Sequence, residues 1–179
     1  CELARKGDLE RLKMLLNYGC EVGSADYDQR TALHLAASEG NMTIVAELMA
    51  HSKNVSFKDR WGGTPLADAV REGHSGAVRM LVEGRANLGF SETQTASKVC
   101  ELAHVGDIER VRLLILAGCT VNAQSYDHRT AMHIACCEGN RSIVDELIKS
   151  DADINFEDRW GNTPLAESVR EGQYKLANE

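Results

Sequence analysis

The chain reads as an all-α solenoid of about six 33-residue helix-turn-helix units, and three observations say so. Gly7, Gly40, Gly73, Gly106, Gly139 and Gly172 recur every 33 residues. Apolar pairs keep the same step: Leu15-Leu16, Leu48-Met49, Leu81-Val82, Leu114-Ile115 and Leu147-Ile148. A longer period of 99 residues lies on top, because CELARKGDLER at Cys1–Arg11 returns as CELAHVGDIER at Cys100–Arg110. Roughly half the positions of 1–80 recur identically in 100–179, so the chain is built as a duplicated block of three units. A fixed period of this size marks stacked supersecondary units, none of which buries enough surface to fold alone.

Each element within a unit has its own signal. Thr64 before Pro65 is a helix start: the hydroxyl can accept an orphan N–H, and proline has none to lose. The chain's two prolines, Pro65 and Pro164, both occupy this slot. A short helix carrying Leu66, Ala69 and Val70 follows, stopped by Gly73, whose missing Cβ permits a left-handed cap. A second helix places Val78, Leu81 and Val82 on one stripe. The connecting segment is polar, with Asp59 and Gly62 where a β-turn wants them. The expected organisation is units one to three over 1–91, the first incomplete, and units four to six over 92–179, the last incomplete, in one continuous solenoid.

Composition limits what such a scaffold can do. At 179 residues, 43% hydrophobic and 26% charged, the chain can bury a core and is not disordered. The purely apolar runs span only a few residues, so neither a membrane span nor a signal peptide is expected. A net charge of −7 speaks against nucleic acid as a partner, since phosphates are bound by clustered Lys and Arg. The six cysteines form no C-x-x-C pair and sit among apolar residues, which points to a reduced, cytoplasmic chain. The first residue is Cys rather than Met, so a piece of a longer protein is expected.

No catalytic constellation emerges. There is no G-x-S-x-G elbow, no Gly-rich phosphate loop and no H-E-x-x-H. Asp8/Glu10 and Asp107/Glu109 fall in first turns of helices, where carboxylates complement the dipole. His51, His74, His104 and His128 are scattered through the repeat and make no metal set, whereas His34 and His133 share one slot suited to structural hydrogen bonding. The chain is therefore expected to be no enzyme and to need no cofactor or metal.

TALHLAASEGN at Thr31–Asn41, TAMHIACCEGN at Thr130–Asn140 and DRWGNTPL at Asp158–Leu165 resemble the ankyrin repeat over essentially the whole chain. The resemblance implies β-hairpin fingers between the helix pairs, and a concave groove lined by finger tips and the shorter helices, used to bind another protein or another domain of the parent chain. It implies groove positions Tyr27, Asp28 and Arg30 in the second unit, and Arg60, Trp61, Arg71 and Glu72 in the third. Tyr126, Asp127 and Arg129 follow in the fifth, and Arg159, Trp160 and Asn162 in the sixth. Trp61 and Trp160 are the only tryptophans; each is either a structural cover stacked on a neighbouring Arg or Tyr, or an anchor for a partner. The fourth unit departs from the pattern, with Ser97, Lys98, Val99 and Cys100 in place of T-P-L-H, so its finger should be less regular. Asn122 and Asn155 are similar to asparagines hydroxylated in ankyrin proteins, the plainer reading being a hairpin residue capping its own turn.

Asp26–Gly40 together with Lys58–Leu66 is narrower than ankyrin in general: it is similar to the ankyrin tail of glutaminases and to ankyrin segments of plant ankyrin-kinases, and a block of repeats broken midway by an irregular unit is similar to the cytosolic tails of plant-type potassium channels. Those resemblances imply an accessory part beside another domain. A protein-binding scaffold and an intrachain regulatory or oligomerisation module both follow from them.

Overall fold

The computed structural model describes residues 1–173; positions 174–179 of the expected second domain lie outside the described residues. The first helices are α1 (Glu2–Lys6), α2 (Leu9–Asn17), α3 (Ala32–Ser38), α4 (Met42–Ala50), α5 (Pro65–Glu72) and α6 (Ser75–Glu83). After them come α7 (Glu92–Val105), α8 (Ile108–Leu116), α9 (Ala131–Glu138), α10 (Arg141–Lys149) and α11 (Pro164–Arg170). The structure is all-helical. Among the described residues the connecting loops carry no strand, only an isolated antiparallel bridge between Ala25 and Thr31. None of these helices is long and apolar enough to cross a membrane.

Two compact units form, Cys1–Gly89 with Leu116–Gly118, and the described part of Phe90–Ile115 with Cys119–Glu179. In the first, α1, α3 and α5 stack in sequence as one layer, and α2, α4 and α6 make the second layer against them. Leu33, Ile44, Leu48, Leu66 and Leu81 are fully buried between the layers. Each such leucine contributes about 1.5–3 kcal/mol relative to exposure. In the second unit α9 packs between α7 and α11, with α10 behind it. Ile143, Leu114 and Leu147 fill its core. Leu165 and Val169 of α11 stay open, although the matching Leu66 and Val70 of α5 are buried; α6, which packs on α5, has no counterpart on α11 among the described residues.

The local signals act as chemistry predicts. Thr64 Oγ1 accepts from the Ala67 N–H at 3.3 Å and donates to the Asn87 carbonyl at 2.7 Å, so one hydroxyl caps α5 and pins the following loop. Thr163 repeats the cap on α11 at 3.3 Å. Gly73 ends α5 with φ 80°, a conformation that costs glycine little. His34 accepts the Thr31 N–H at Nδ1 over 3.0 Å. A backbone N–H can only donate, so the ring proton sits on Nε2, which donates to the Gly63 carbonyl at 3.3 Å. His133 does the same with Thr130 and Asn162, at 3.2 and 3.1 Å. Each of these buried rings therefore starts one helix and ties it to the next loop.

The fourth unit departs in a definite way. Its first helix, α7, is 14 residues long and begins at the Ser91 cap, so Ser97 and Lys98 lie inside it. Ser91 and Gln94 form a reciprocal capping box at 2.9 and 3.2 Å. The loop that other units place before this helix is replaced by extra helical turns.

Candidate functional site

The loop tips before α3, α5, α9 and α11 share one construction. A short side chain at the base accepts backbone N–H groups across the turn: Asp59 Oδ1 takes Trp61 N at 2.9 Å and Gly63 N at 2.7 Å. Asp158 Oδ1 takes Trp160 N and Asn162 N at 2.9 and 2.8 Å. Asp26 does this for Asp28 and Arg30, and Ser125 for Arg129. The tip residue is left-handed in all four loops: Gln29, Gly62, His128 and Gly161, with φ of 60°, 82°, 57° and 77°. The corresponding positions of the fourth unit, Glu92 and Thr95, lie inside the first turn of α7; glutamate is too long for the Asx-type turn and branched threonine is disfavoured in a left-handed tip.

Within the first unit the tips are chained. Arg60 N donates to the Asp28 carbonyl at 3.0 Å, and its guanidinium donates to Asp28 Oδ1, also at 3.0 Å. The same guanidinium lies 5.3 Å from the Tyr27 ring centroid and 5.4 Å from that of Trp61. The second unit repeats the set: Arg159 N meets the Asp127 carbonyl at 3.0 Å and its guanidinium meets Asp127 Oδ1 at 2.7 Å. Arg159 stands 5.6 Å from Tyr126 and 5.3 Å from Trp160. The hydrogen bond to Asp28 is the main influence holding Arg60 above the ordinary guanidinium value, so it stays charged throughout.

These stacks face water. Tyr27 and Tyr126 are 89% and 90% exposed, and Trp61 and Trp160 are 68% and 64% exposed. Arg60 and Arg159 pack over one face of Trp61 and Trp160. The remaining surface of each indole is left to solvent.

The other expected positions divide. Arg71 pairs with buried Asp68 at 2.7 Å and with Glu72 at 3.0 Å. Burial pushes the Asp68 carboxyl up, only partly opposed by Arg71. In the second unit Glu167 takes the place of Asp68; it is buried and held by Arg129 at 3.3 Å and Arg170 at 2.6 Å. Arg30 turns back to Asp26 at 3.3 Å, and the Nε atoms of Arg30 and Arg129 are out of solvent without an acceptor. Asn162 is turned into its own loop, its Nδ2 donating to Asp158 at 3.2 Å, while its carbonyl accepts from the Asp158 N–H at 2.9 Å and from His133 of α9. Sequence reasoning did not single out Asp68 or Glu167; the i, i+3 spacing to Arg71 and Arg170 was the available signal. Asn122 accepts Asp153 N at 2.9 Å, a loop-to-loop tie 31 residues long.

Among the described residues one grouping of metal-ligand types forms, Cys137, Glu167 and Glu171, with ligand atoms within 4.8 Å of one another. Arg129 and Arg170 already neutralise its two carboxylates. Glu167 lies in α11 and Glu171 caps its C-terminus, so these ion pairs tie α11 to Arg129 of the preceding loop. The tips offer exposed rings and ion-paired side chains.

The family model for ankyrin repeats, in three copies, matches residues 1–91 and again 99–179. Potassium channel KOR2 of rice (Oryza sativa subsp. japonica) is 41% identical over 93% of this chain and 23% of its own length. The mitochondrial liver-isoform glutaminase of Rattus norvegicus is 40% identical over 51% of this chain and 15% of its own. Serine/threonine-protein kinase 12 of Arabidopsis thaliana is 41% identical over 44% of this chain and 17% of its own. The chain thus spans less than a third of the length of the curated relatives it matches. The ankyrin repeat domain of Bcl-3 has the same fold, with a TM-score of 0.76 at 24% identity over 99% of this chain and 80% of that one.

Proposed function

The chain belongs to the ankyrin-repeat family, and we propose that it is a non-catalytic, cytoplasmic scaffold that binds another polypeptide through a groove lined by its loop tips and the shorter helices that follow them. In this reading six 33-residue units, with finger-like loops between helix pairs, form one solenoid over 1–91 and 92–179. The binding side chains are Tyr27, Asp28, Arg30, Arg60, Trp61, Arg71 and Glu72, with Tyr126, Asp127, Arg129, Arg159, Trp160 and Asn162 in the second block. The observation that supports it is the pair of Tyr–Arg–Trp stacks, each built alike, each largely open to water. A chain gains little by keeping four large aromatic rings in solvent, whereas a Trp beside an Arg is the composition of an interface hot spot.

The test is an affinity capture with the wild-type chain against the Trp61→Ala, Trp160→Ala double variant. Loss of captured partners with a melting temperature within about 3 °C of wild type supports the reading; about 1 kcal/mol of lost stability corresponds to a shift of that order. Unchanged capture with a large melting loss makes the indoles structural covers and sinks it. A second reading, an intrachain regulatory or oligomerisation module, is favoured by the length of the relatives, which include channels and enzymes several times longer than the matched segment. Light scattering on the segment alone and joined to its flanking sequence separates the two: self-association or occlusion of the tips by the parent chain supports the second.

A further inference from the structure

We infer that the exposed aromatic tips are docking platforms for a cationic segment of polypeptide, one bearing arginine or lysine, and that the Trp160 tip takes it in preference to the Trp61 tip. This rests on the scaffold reading above and adds the chemistry of the partner.

The platform's own cation is not available to attract an anion. Arg159 is held between two rings and paired with Asp127 at 2.7 Å, and Arg60 is paired with Asp28 at 3.0 Å. What each tip offers to an incoming group is the outer face of an indole and of a phenol. Those faces carry the negative end of the ring quadrupole, so they favour a guanidinium or ammonium over a carboxylate.

Charge sets the preference between the two tips. Residues 1–89 carry 11 Lys and Arg against 12 Asp and Glu, whereas residues 90–179 carry 9 against 15. Nearly all of the net −7 therefore belongs to the second half. Part of that asymmetry reaches the tips themselves, where Ser125 stands in place of Asp26 but a larger change lies at the next tip. Where the first loop has Lys58, exposed and donating to the Gly89 carbonyl at 2.9 Å, the second has an exposed Glu157. An acidic field around an open aromatic platform raises the local concentration of cationic segments and lengthens their stay.

Because Trp61 and Trp160 are the only tryptophans, intrinsic fluorescence reads the two tips separately. Trp61→Phe leaves Trp160 as reporter, Trp160→Phe leaves Trp61, and phenylalanine keeps a ring against the arginine. Each variant is titrated with a short capped arginine–glycine peptide, and with glutamate–glycine and proline–glycine peptides of the same length. The arginine peptide should change Trp160 emission at a concentration about threefold lower than it needs for Trp61, and Glu157→Lys should remove that difference. Raising salt from about 50 mM to about 500 mM should weaken the Trp160 response about tenfold. A glutamate or proline peptide that acts as strongly as the arginine one overturns the inference, as does a salt-insensitive response or none. Partner capture that depends on the two tryptophans without any arginine-peptide response leaves the scaffold standing and removes the cationic partner.

Discussion

Replacing His133 by alanine should destabilise the second unit by about 3–5 kcal/mol, and the reason can be followed atom by atom. The ring is fully buried and joins α9 to the loop before α11 through the Thr130 N–H at 3.2 Å and the Asn162 carbonyl at 3.1 Å. Alanine leaves the Thr130 N–H without its partner, at about 1–3 kcal/mol if it stays dry, takes one of two donors from the Asn162 carbonyl, which keeps the Asp158 N–H at 2.9 Å, and adds the cost of an imidazole-sized void. These contributions share neighbours, so they do not sum fully. Urea unfolding followed by Trp160 fluorescence in a Trp61→Phe background reads this unit specifically. Burial also holds the His133 imidazole below its ordinary 6.5, outweighing the Asn162 carbonyl and Asp158, which raise it. Below pH 6.5 the unfolded chain therefore binds a proton that the folded ring resists. Its contribution is complete above 6.5 and is lost as pH falls towards the folded value, with a slope of at most about 1.4 kcal/mol per pH unit. His133→Gln should flatten that part of the pH profile. A loss below about 1 kcal/mol in the alanine variant, or an unchanged profile in the glutamine variant, would refute the reasoning.

Three further outcomes are expected. His128→Gly should raise stability by about 0.5–1 kcal/mol in denaturant titrations, because His128 holds φ 57° at a tip where Gly161 serves the same turn. A double-mutant cycle of Arg159→Ala and Asp127→Ala should give a coupling of about 1 kcal/mol or less by thermal melts, since the pair is nearly half exposed and screened by water. In thiol labelling near pH 8, exposed Cys1 and Cys20 should react promptly. Cys100, Cys119 and Cys136 should lag behind them, burial having pushed each thiol up to about 11.

Much of the fold was legible because its determinants are local. Thr64 and Pro65, Gly73 and the apolar pairs act within one or two turns, so a single period of sequence carries the full instruction for a helix pair. The fourth unit was legible only as a break in that pattern. The capping box of Ser91 and Gln94 was present in the sequence as S-E-T-Q, and it marks the early start of α7. The bridge between Ala25 and Thr31 is the single pairing among the described loops, because Asx-type turns and left-handed tips satisfy these backbones without a ladder.

The repeat length, the helix caps, the placement of both tryptophans beside an arginine and the acidic second half are properties of the amino-acid order itself. Which groups meet across the 33-residue step is not. Arg60 reaching Tyr27 and Asp28, Arg159 reaching Tyr126 and Asp127, and Arg129 reaching the buried Glu167 all depend on how far one unit turns and slides on the last. That displacement is set by packing of side chains between layers. Periodicity specifies that neighbours exist, while the depth of each contact decides which charges are hidden and which rings remain in water.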